Sequence, residues 1–153
     1  MLFRGVTELN LDAKGRMAMP TRYRERLIER SEGRLVITID TEERCLLIYP
    51  QPEWEVIEQK LDALPSFNSQ ARRVQRLLMG HATDVEMDGN GRLLLPPPLR
   101  QYANLDKQVV LIGQGKKFEL WDAELWNAQR DNWLADEAIA DGQLPPELQN
   151  LSL

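Results

Sequence analysis

Two short stretches of the sequence, "DAKGR" and "DGNGR", each place an aspartate four residues before an arginine and a glycine directly before that arginine. The pairs are Asp12 with Arg16 and Asp88 with Arg92. An arginine guanidinium forms bidentate hydrogen bonds with guanine O6 and N7, worth about 1–3 kcal/mol of discrimination, and it also binds phosphates. The alternative is an exposed ion pair that only stabilises a hairpin, by roughly 0–1 kcal/mol. Because the pattern occurs twice, the sequence favours contact with DNA.

The two motifs lie within a longer duplicated unit. "LDAKGRMAMP" (11–20) and "MDGNGRLLLP" (87–96) share four identical residues and exchange one large apolar residue for another at three more positions. Each copy continues with a short helical stretch and then with apolar strands, "RLVITID" and "CLLIYP" in the first copy and "QVVLIG" and "KFELW" in the second. The chain therefore contains one unit of about 50 residues twice.

Apolar residues alternate with polar ones on both sides of each motif, which predicts half-buried strands. Lys14-Gly15 and Asn90-Gly91 lie between these strands, and Asn-Gly in particular favours a type I′ turn with positive φ at both central residues. We therefore expect each copy to begin as a β-hairpin whose tip carries Asp, Gly and Arg. A single hairpin is marginally stable in water, so the two copies are expected to pack their apolar faces together.

A helix is expected after each hairpin. Pro20 and Pro96 end the second strand of each copy, because proline cannot donate a hydrogen bond to a sheet. In the first copy Thr21 is the expected N-cap, and the spacing of Tyr23 and Leu27 places both on one buried face.

Between the copies the pattern predicts a helical hairpin. "PEWEVIEQKLDAL" and "NSQARRVQRLLMGHA" both have helical spacing of apolar residues, Pro65 interrupts them, and Asn68 or Ser69 is the expected N-cap of the second helix. After Trp121 a further amphipathic helix is expected, and the final stretch "DGQLPPELQNLSL" is expected to be loosely ordered.

The net charge of −5 conceals an uneven distribution. Residues 119–153 carry eight acids and one base, a net charge of −7, which leaves +2 for the remaining 118 residues. Residues 14–30 carry six bases and two acids, a local net charge of +4. A docked polyanion responds to the local field, so the basic N-terminal region is compatible with DNA, whereas the acidic tail would repel it.

Two groups of arginines outside the motifs are candidates for phosphate contact. Arg22 and Arg24 follow the first motif, and for them phosphate contact and a solvated helix face are equally supported. The linker arginines are expected to pair instead with acids, either within the chain or across a subunit interface. These arginines are Arg72, Arg73 and Arg76, and the acids within reach are Glu53, Glu55 and Glu58.

Little in the sequence supports an enzyme. His81 is the only histidine and Cys45 the only cysteine, so neither a Ser–His–Asp arrangement nor a His–Cys metal cluster is indicated. Cys45 is expected to be a buried core residue, and a single cysteine suits the reducing cytoplasm. The four tryptophans are expected in the core and at subunit interfaces rather than as base-stacking platforms, because acids surround them. Neither a signal peptide nor an apolar run of about 20 residues is present, which argues against a membrane location.

The motif and the helix after it resemble the AbrB-type swapped-hairpin DNA-binding module. Two such modules around a helical hairpin resemble the MraZ family of bacterial regulators of the division and cell-wall gene cluster. The resemblance covers nearly the whole chain and is carried by "LDAKGRMAMPTRYRERL", "LLIYPQPEWE", "RRVQRLLMGHA", "DGNGRLLLPPPLRQYA" and "KFELWD". It implies a β-rich α+β fold in which two pseudo-symmetric AbrB-type halves (a swapped-hairpin or double-psi barrel) are joined by a helical hairpin and followed by a C-terminal helix. We expect the first repeat at 6–53, the helical linker at 54–81, the second repeat at 82–125 and the acidic helix and tail at 126–153.

The resemblance also implies a function. It implies a sequence-specific transcriptional regulator of its own operon, and we expect this regulator to be a repressor without enzymatic activity, cofactor or metal. It implies a homo-oligomeric ring that binds direct repeats in double-stranded promoter DNA, in the cytoplasm on the nucleoid and without a membrane partner. The candidate DNA-binding residues, including the turn residues and the two basic residues of the first helix, are Asp12, Lys14, Gly15, Arg16, Arg22, Arg24, Asp88, Asn90, Gly91 and Arg92.

The alternative is an antitoxin-like or protein-interaction module that uses the same hairpin. Antitoxins of this kind carry one hairpin copy and a disordered toxin-binding tail, whereas this chain has two copies and a helix-like tail. The regulator interpretation is therefore preferred. The second copy has Asn90 where the first has Lys14, which argues against equal DNA affinity of the two loops.

Overall fold

The computed structural model describes residues 2–136 and 145–151. The secondary structure in this part of the chain confirms the predicted mixed α+β class, rich in β-structure. In chain order the elements are β1 (Phe3–Asn10), β2 (Arg16–Ala18), α1 (Thr21–Ser31), β3 (Arg34–Ile39), β4 (Leu46–Pro50), α2 (Gln51–Asp62), α3 (Ser69–Val74), β5 (Thr83–Glu86), β6 (Arg92–Leu94), α4 (Pro97–Tyr102), β7 (Gln108–Gly115), β8 (Lys117–Asp122), α5 (Ala123–Leu134) and α6 (Pro146–Gln149).

The strands pair between the two sequence repeats. A six-stranded antiparallel sheet has the order β1-β7-β8-β4-β3-β5, and a separate two-stranded ribbon consists of β2 and β6. The prediction that each copy forms its own hairpin ladder is therefore wrong. The first strand of each copy pairs with a strand of the other copy, β1 with β7 and β5 with β3. This pairing between repeats gives each short strand of the ribbon a partner. It also provides hydrogen bonds for backbone groups that would lack them in a single isolated hairpin.

The main core lies between the sheet, the ribbon and the helices α1 and α4. Met17 and Leu93 stand directly opposite each other in the ribbon, and both are 0% exposed. Phe3, Tyr23 and Phe118 form an aromatic cluster whose ring centroids lie 4.4–5.8 Å apart. Tyr23 and Leu27 are buried on α1 as predicted, and burial of Cys45 is also confirmed.

The predicted helical hairpin is present, and it covers a second apolar cluster. The side chain of Asn68 accepts hydrogen bonds from the backbone N–H groups of Gln70 (2.9 Å) and Ala71 (3.1 Å), so it is the N-cap of α3. Helix α3 continues into a π-helical turn at Gln75–Met79. The Gln75 side chain donates to the Leu61 carbonyl of α2 at 2.8 Å. The cluster beneath consists of Val36, Leu47, Tyr49, Trp54 and Leu61.

One local prediction is wrong, and for a second the alternative within the chain is not observed in the part that the structure describes. Helix α1 begins at Thr21 itself, and its N-cap position is held by Pro20 without a side-chain hydrogen bond, because Pro20 has the extended ψ of 138° that a cap residue needs. Within the described residues, no ion pair joins the linker arginines at 72, 73 and 76 to the acids of α2. Those arginines are exposed, and ordering long exposed side chains costs about as much as such a pair returns.

The chain consists of two compact units, residues 1–123 and 124–153, each with most of its contacts within itself. The second unit contains most of α5, as the sequence predicted, and the rings of Trp126 and Trp133 lie 6.0 Å apart on that helix. The short helix α6 lies within the stretch expected to be loosely ordered, of which 141–144 and 152–153 fall outside the described residues. Among the helices of residues 2–136 and 145–151, none has the length and apolar character required to span a bilayer.

We predict that Met17→Ala and Leu93→Ala each lower the free energy of unfolding by about 2–5 kcal/mol, because each leaves a cavity in the main core. Since the two side chains face each other across the ribbon, the double variant should deviate from additivity by about 0.5–3 kcal/mol. Urea unfolding of the four proteins in the cycle measures this coupling. Leu61→Ala, in the second cluster, is the matched control and should add to Leu93→Ala within about 0.5 kcal/mol. Additivity between positions 17 and 93 would contradict the pairing of β2 with β6.

Candidate nucleic-acid interface

The loop between β1 and β2 is organised by one carboxylate. Asp12 Oδ1 accepts hydrogen bonds from the backbone N–H groups of Lys14 (2.9 Å) and Arg16 (2.8 Å), and Asp12 Oδ2 accepts from Arg16 Nε at 2.6 Å. The backbone N–H of Asp12 donates to the Arg16 carbonyl at 3.0 Å, and that of Gly15 donates to the Asp12 carbonyl at 3.0 Å. The aspartate thereby shapes the turn and holds the arginine.

The turn is not the predicted type I′. Gly15 has φ of +79° and Gly91 has φ of +74°, but among the described residues the only non-glycines with positive φ are Glu32 and Asn104. Lys14 and Asn90 therefore keep negative φ. Each loop is a four-residue turn, 12–15 or 88–91, whose last residue is a glycine in the left-handed region, a common alternative in hairpins. The Asp side chain supplies the hydrogen bonds that make a second left-handed residue unnecessary.

The second loop repeats this geometry. Asp88 Oδ1 accepts from the backbone N–H groups of Asn90 and Arg92, both at 2.9 Å, and Asp88 Oδ2 accepts from Arg92 Nε at 3.0 Å. The two loops lie at the starts of β2 and β6, which run antiparallel. Two arginine-bearing loops with the same hydrogen-bond pattern therefore flank one short ribbon.

The register of the ribbon places both arginines on the same face. Arg16 is opposite Leu94, and Arg92 is opposite Ala18. Side chains alternate along a strand, and the middle pair is buried in the core, so the flanking residues point to the outer face. Leu94 is 56% exposed on that face. The ribbon therefore presents one outer surface to which both sequence repeats contribute an arginine.

Each of these arginines has a partly exposed side chain. The Arg16 side chain is 29% exposed and the Arg92 side chain 35% exposed. In both, the ion pair with the aspartate uses Nε, and the structure records no hydrogen bond from their Nη groups to any described residue. A guanidinium held by its Nε presents two parallel Nη donors, the geometry that suits a guanine edge or a phosphate.

The same hydrogen bonds keep both aspartates ionised. The backbone N–H of Arg16 is the main cause that lowers the pKa of Asp12, and with the Arg16 side chain and the Lys14 backbone it brings this pKa to about 2. The pKa of Asp88 is lowered for the same reason, chiefly by the backbone N–H of Arg92. Both arginines therefore face a charged carboxylate even at an acidic pH at which an ordinary aspartate begins to protonate.

Each loop also contacts the opposite repeat. The Gly15 carbonyl accepts from Leu95 N–H at 3.1 Å, and the Gly91 carbonyl accepts from Met19 N–H at 2.9 Å. Arg100 of α4 lies against Gly15, and Arg24 of α1 lies against Gly91. The candidate residue Arg24 is thus packed on the second loop. Arg100 was missed by the sequence analysis, although it follows Pro96 by the same four residues that separate Arg24 from Pro20.

The remaining candidates are placed differently. Lys14 is exposed and uses its backbone N–H in the turn, so its side chain is not part of the loop framework. Arg22 contacts Thr7 of β1 and lies over the Tyr23 ring, with 4.6 Å from Cζ to the ring centroid. Within the described residues, its recorded contacts do not include either loop. The structure thus brings together the residues of the two motifs and Arg24, but not Arg22.

One group of side chains has the composition of a metal site. Asp40, Cys45 and Glu119 offer ligand atoms within 4.8 Å of one another. Cys45 Sγ donates to Asp40 Oδ2 at 3.6 Å, and Trp121 Nε1 donates to Glu119 Oε1 at 3.0 Å. Burial raises the pKa of the Cys45 thiol, with the nearby carboxylates adding to the effect. In these contacts Cys45 is the buried core residue that the sequence predicted, with its thiol donating to a carboxylate.

Comparison with known proteins identifies the family. The family model described as "MraZ protein, putative antitoxin-like" matches residues 2–77 and again residues 78–142. The chain belongs to the MraZ family. It is 59% identical over 152 residues to the transcriptional regulator MraZ of Halorhodospira halophila, covering 99% of this chain and 100% of the relative. The MraZ transcriptional regulators of Alkalilimnicola ehrlichii and Coxiella burnetii are 62% and 58% identical over the same shares of both chains.

Membership of the MraZ family confirms three predictions. It confirms the resemblance drawn from the repeated motif, and the two matched segments confirm that the chain contains two related halves. It also confirms that the chain is not an enzyme, because its relatives in the MraZ family are named transcriptional regulators. The boundaries predicted for the four segments and the roles of the individual loop residues stay predictions.

We predict that the Asp12 carboxyl titrates at about 2, below its ordinary value of 3.8, because the charged form accepts three hydrogen bonds in the loop. A carboxyl whose pKa is lower in the folded state stabilises that state fully above the unfolded pKa, so the contribution is complete above about pH 4 and is lost as the pH falls towards 2. Carboxyl carbon NMR shifts along an acid titration measure this. In Arg16→Ala the pKa should rise but stay below 3.8, since the backbone N–H donors remain. A carboxyl that titrates at 3.8 in the unaltered protein would show that this hydrogen-bond network is absent in solution.

Proposed function

We propose that this MraZ-family chain is a transcriptional regulator that binds double-stranded DNA sequence-specifically through the β2–β6 ribbon and its two loops. The observation that carries the proposal is the shared outer face of the ribbon, on which an aspartate holds Arg16 and another holds Arg92 by Nε, with no hydrogen bond from either Nη group to residues 2–136 or 145–151. The names of its MraZ relatives, which are transcriptional regulators, support the same function.

A two-stranded ribbon of this kind can read sequence in the major groove. The major groove of B-DNA, about 12 Å wide, admits a two-stranded β-ribbon. In that arrangement the Nη groups of Arg16 or Arg92 reach guanine O6 and N7, and the aspartate prevents the guanidinium from rotating away. Pre-organised donors lose less conformational entropy on binding, so the Asp–Arg pair contributes to specificity rather than to fold stability alone.

The two loops are proposed to differ in their contribution. Lys14 of the first loop is exposed and provides a positive charge for a phosphate, whereas Asn90 at the matching position is neutral. Phosphate contacts contribute sequence-independent and salt-dependent affinity. The first loop is therefore proposed as the main contact and the second as the weaker one.

We further propose that several copies act together as a closed homo-oligomeric ring on direct repeats in the promoter of the chain's own operon. The resemblance to regulators of the division and cell-wall gene cluster supports repression of that operon, on the nucleoid in the cytoplasm. Linking several weak sites raises the effective concentration of each loop at the next repeat, which increases overall avidity by about 10²–10⁴ without any new contact.

We predict that Arg16→Ala lowers specific affinity for the DNA upstream of the chain's own gene by about 5- to 150-fold per site, the loss of one bidentate guanine contact. Fluorescence anisotropy titrations against this DNA and a scrambled duplex, across a salt series, separate specific from non-specific binding. Arg92→Ala should lower affinity less. Asp12→Asn keeps an acceptor for the backbone N–H groups but not for Arg16 Nε, so it should also reduce specificity.

Arg34→Ala is the matched control for these titrations. Arg34 is an exposed arginine paired with Glu32 at 3.5 Å, and it lies outside both loops, so its loss should leave specific affinity unchanged. If Arg16→Ala and Arg92→Ala both bind as the unaltered protein does, the ribbon is not the DNA contact and the proposal is wrong.

We predict that affinity rises by at least about 10²-fold when the number of repeats in the DNA increases from one to three, since a ring engages several sites at once. Sedimentation velocity gives the assembly size of the free protein, and titrations with the two duplexes give the avidity. Equal affinity for both duplexes, or a protein that sediments as a monomer, would contradict the proposed ring.

A further inference from the structure

Arg100 fills the space beside the first loop. A Cβ placed on Gly15 would lie 2.5 Å from both Cζ and Nη1 of Arg100 and 2.8 Å from its Nε. The guanidinium therefore occupies the volume that any side chain at position 15 would need. Gly15 directly precedes Arg16, and its φ of +79° is what turns the chain into β2. Arg100 is thus packed on the residue that sets the direction of Arg16.

Hydrogen bonds tie Arg100 to the same point. Its Nε donates to the Leu95 carbonyl at 3.1 Å, and the Leu95 N–H donates to the Gly15 carbonyl at 3.1 Å. Leu95 follows β6, so this chain of contacts runs from α4 through the end of the ribbon to the first loop. Arg100 and Leu95 belong to the second repeat, whereas Gly15 and Arg16 belong to the first.

The second loop has the same arrangement with the repeats exchanged. Arg24 Nε donates to the Met19 carbonyl at 2.7 Å, and Met19 N–H donates to the Gly91 carbonyl at 2.9 Å. A Cβ on Gly91 would lie 2.3 Å from Arg24 Nε. The contact therefore occurs twice in one chain, at equivalent positions, which argues that it belongs to the design of the loop rather than to incidental packing.

We infer that Arg100 is a positioning residue for the DNA-contacting loop of the first repeat, and that Arg24 has the same role for the loop of the second repeat. Each DNA-contacting loop is then held in position by an arginine from the opposite repeat. The inference rests on the proposed function for its consequence in DNA binding, but the positioning itself is a property of the free protein. The competing role for Arg100 is direct phosphate contact, because it lines an open cleft with Asp12 and Lys107.

The test compares Arg100→Ala, Arg100→Lys and Arg24→Ala in two measurements. The first needs no DNA: amide NMR shifts of both loops and the acid titrations of Asp12 and Asp88. We expect Arg100→Ala to move the amides of residues 12–16 and to raise the Asp12 pKa from about 2 towards 3.8, with residues 88–92 unchanged. Arg24→Ala, its matched control on the same kind of helix position, should affect residues 88–92 and leave residues 12–16 unchanged.

The second measurement is the DNA titration across a salt series. A positioning role predicts that Arg100→Ala lowers specific affinity at least about fivefold, with no further loss in an Arg16→Ala background. The salt slope should stay unchanged, because no phosphate contact is removed. Arg100→Lys keeps the charge but loses the planar guanidinium on Gly15 and its Nε donor, so it should behave as Arg100→Ala does. Gly15→Ala places a Cβ where the Arg100 guanidinium lies, so it should likewise change the amide shifts of residues 12–16.

Several outcomes would overturn the inference. Unchanged amides of residues 12–16 in a folded Arg100→Ala protein would show that Arg100 does not position the loop. Rescue of affinity by Arg100→Lys, together with a salt slope lowered by about one in Arg100→Ala, would assign Arg100 to a phosphate instead. If Arg100→Ala does not fold, Arg100→Lys supplies the same two measurements. If the amides of residues 12–16 move but Arg16→Ala leaves DNA binding intact, the proposed function fails and the positioning role stands.

Discussion

The pairing of β2 with β6 is the constraint on which the rest of the structure depends. Each strand has only three residues, so neither is stable without its partner from the other repeat. The pairing buries Met17 against Leu93 and extends through hydrogen bonds that join each loop glycine to the opposite repeat. Neither repeat is therefore a complete structural unit, and the duplication in sequence corresponds to one interlocked fold.

The short side chain of aspartate connects this fold to the proposed contact with DNA. The Asp12 carboxylate accepts two backbone hydrogen bonds with one oxygen and a hydrogen bond from the Arg16 guanidinium with the other. An exposed Asp–Arg pair alone contributes little to stability. Here the same carboxylate also defines the turn, so the direction of Arg16 is set by the backbone rather than by the ion pair alone. The loop is consequently formed before any ligand binds.

The sequence predicted where the two loops lie but not which strands pair. Period-two alternation and the repeated motif identified both loops, since those signals are local. The partner of each strand was not predictable in this way, because both copies carry the same apolar pattern and either pairing buries it. The type I′ turn was expected from the dipeptide at positions 14 and 15 alone. That dipeptide does not include Asp12, whose carboxylate accepts the backbone hydrogen bonds of a turn in which only Gly15 has positive φ. Arg100 was overlooked because it contacts Gly15 of the other repeat, and the packing of one repeat on the other was not predicted. The alignment of Arg100 with Arg24 in the two copies was the signal that could have identified it.

Joining both copies in one chain allows them to differ where the loop geometry permits it. The aspartate and glycine of each motif serve the turn or its packing, so neither is replaceable without a change in shape. Position 14 and its counterpart 90 contribute only a backbone N–H to the turn. Lysine and asparagine supply that N–H equally, so the charge at this position changes at no structural cost. The two loops therefore have the same shape but carry different charge, so the outer face of the ribbon is asymmetric although its backbone is symmetric.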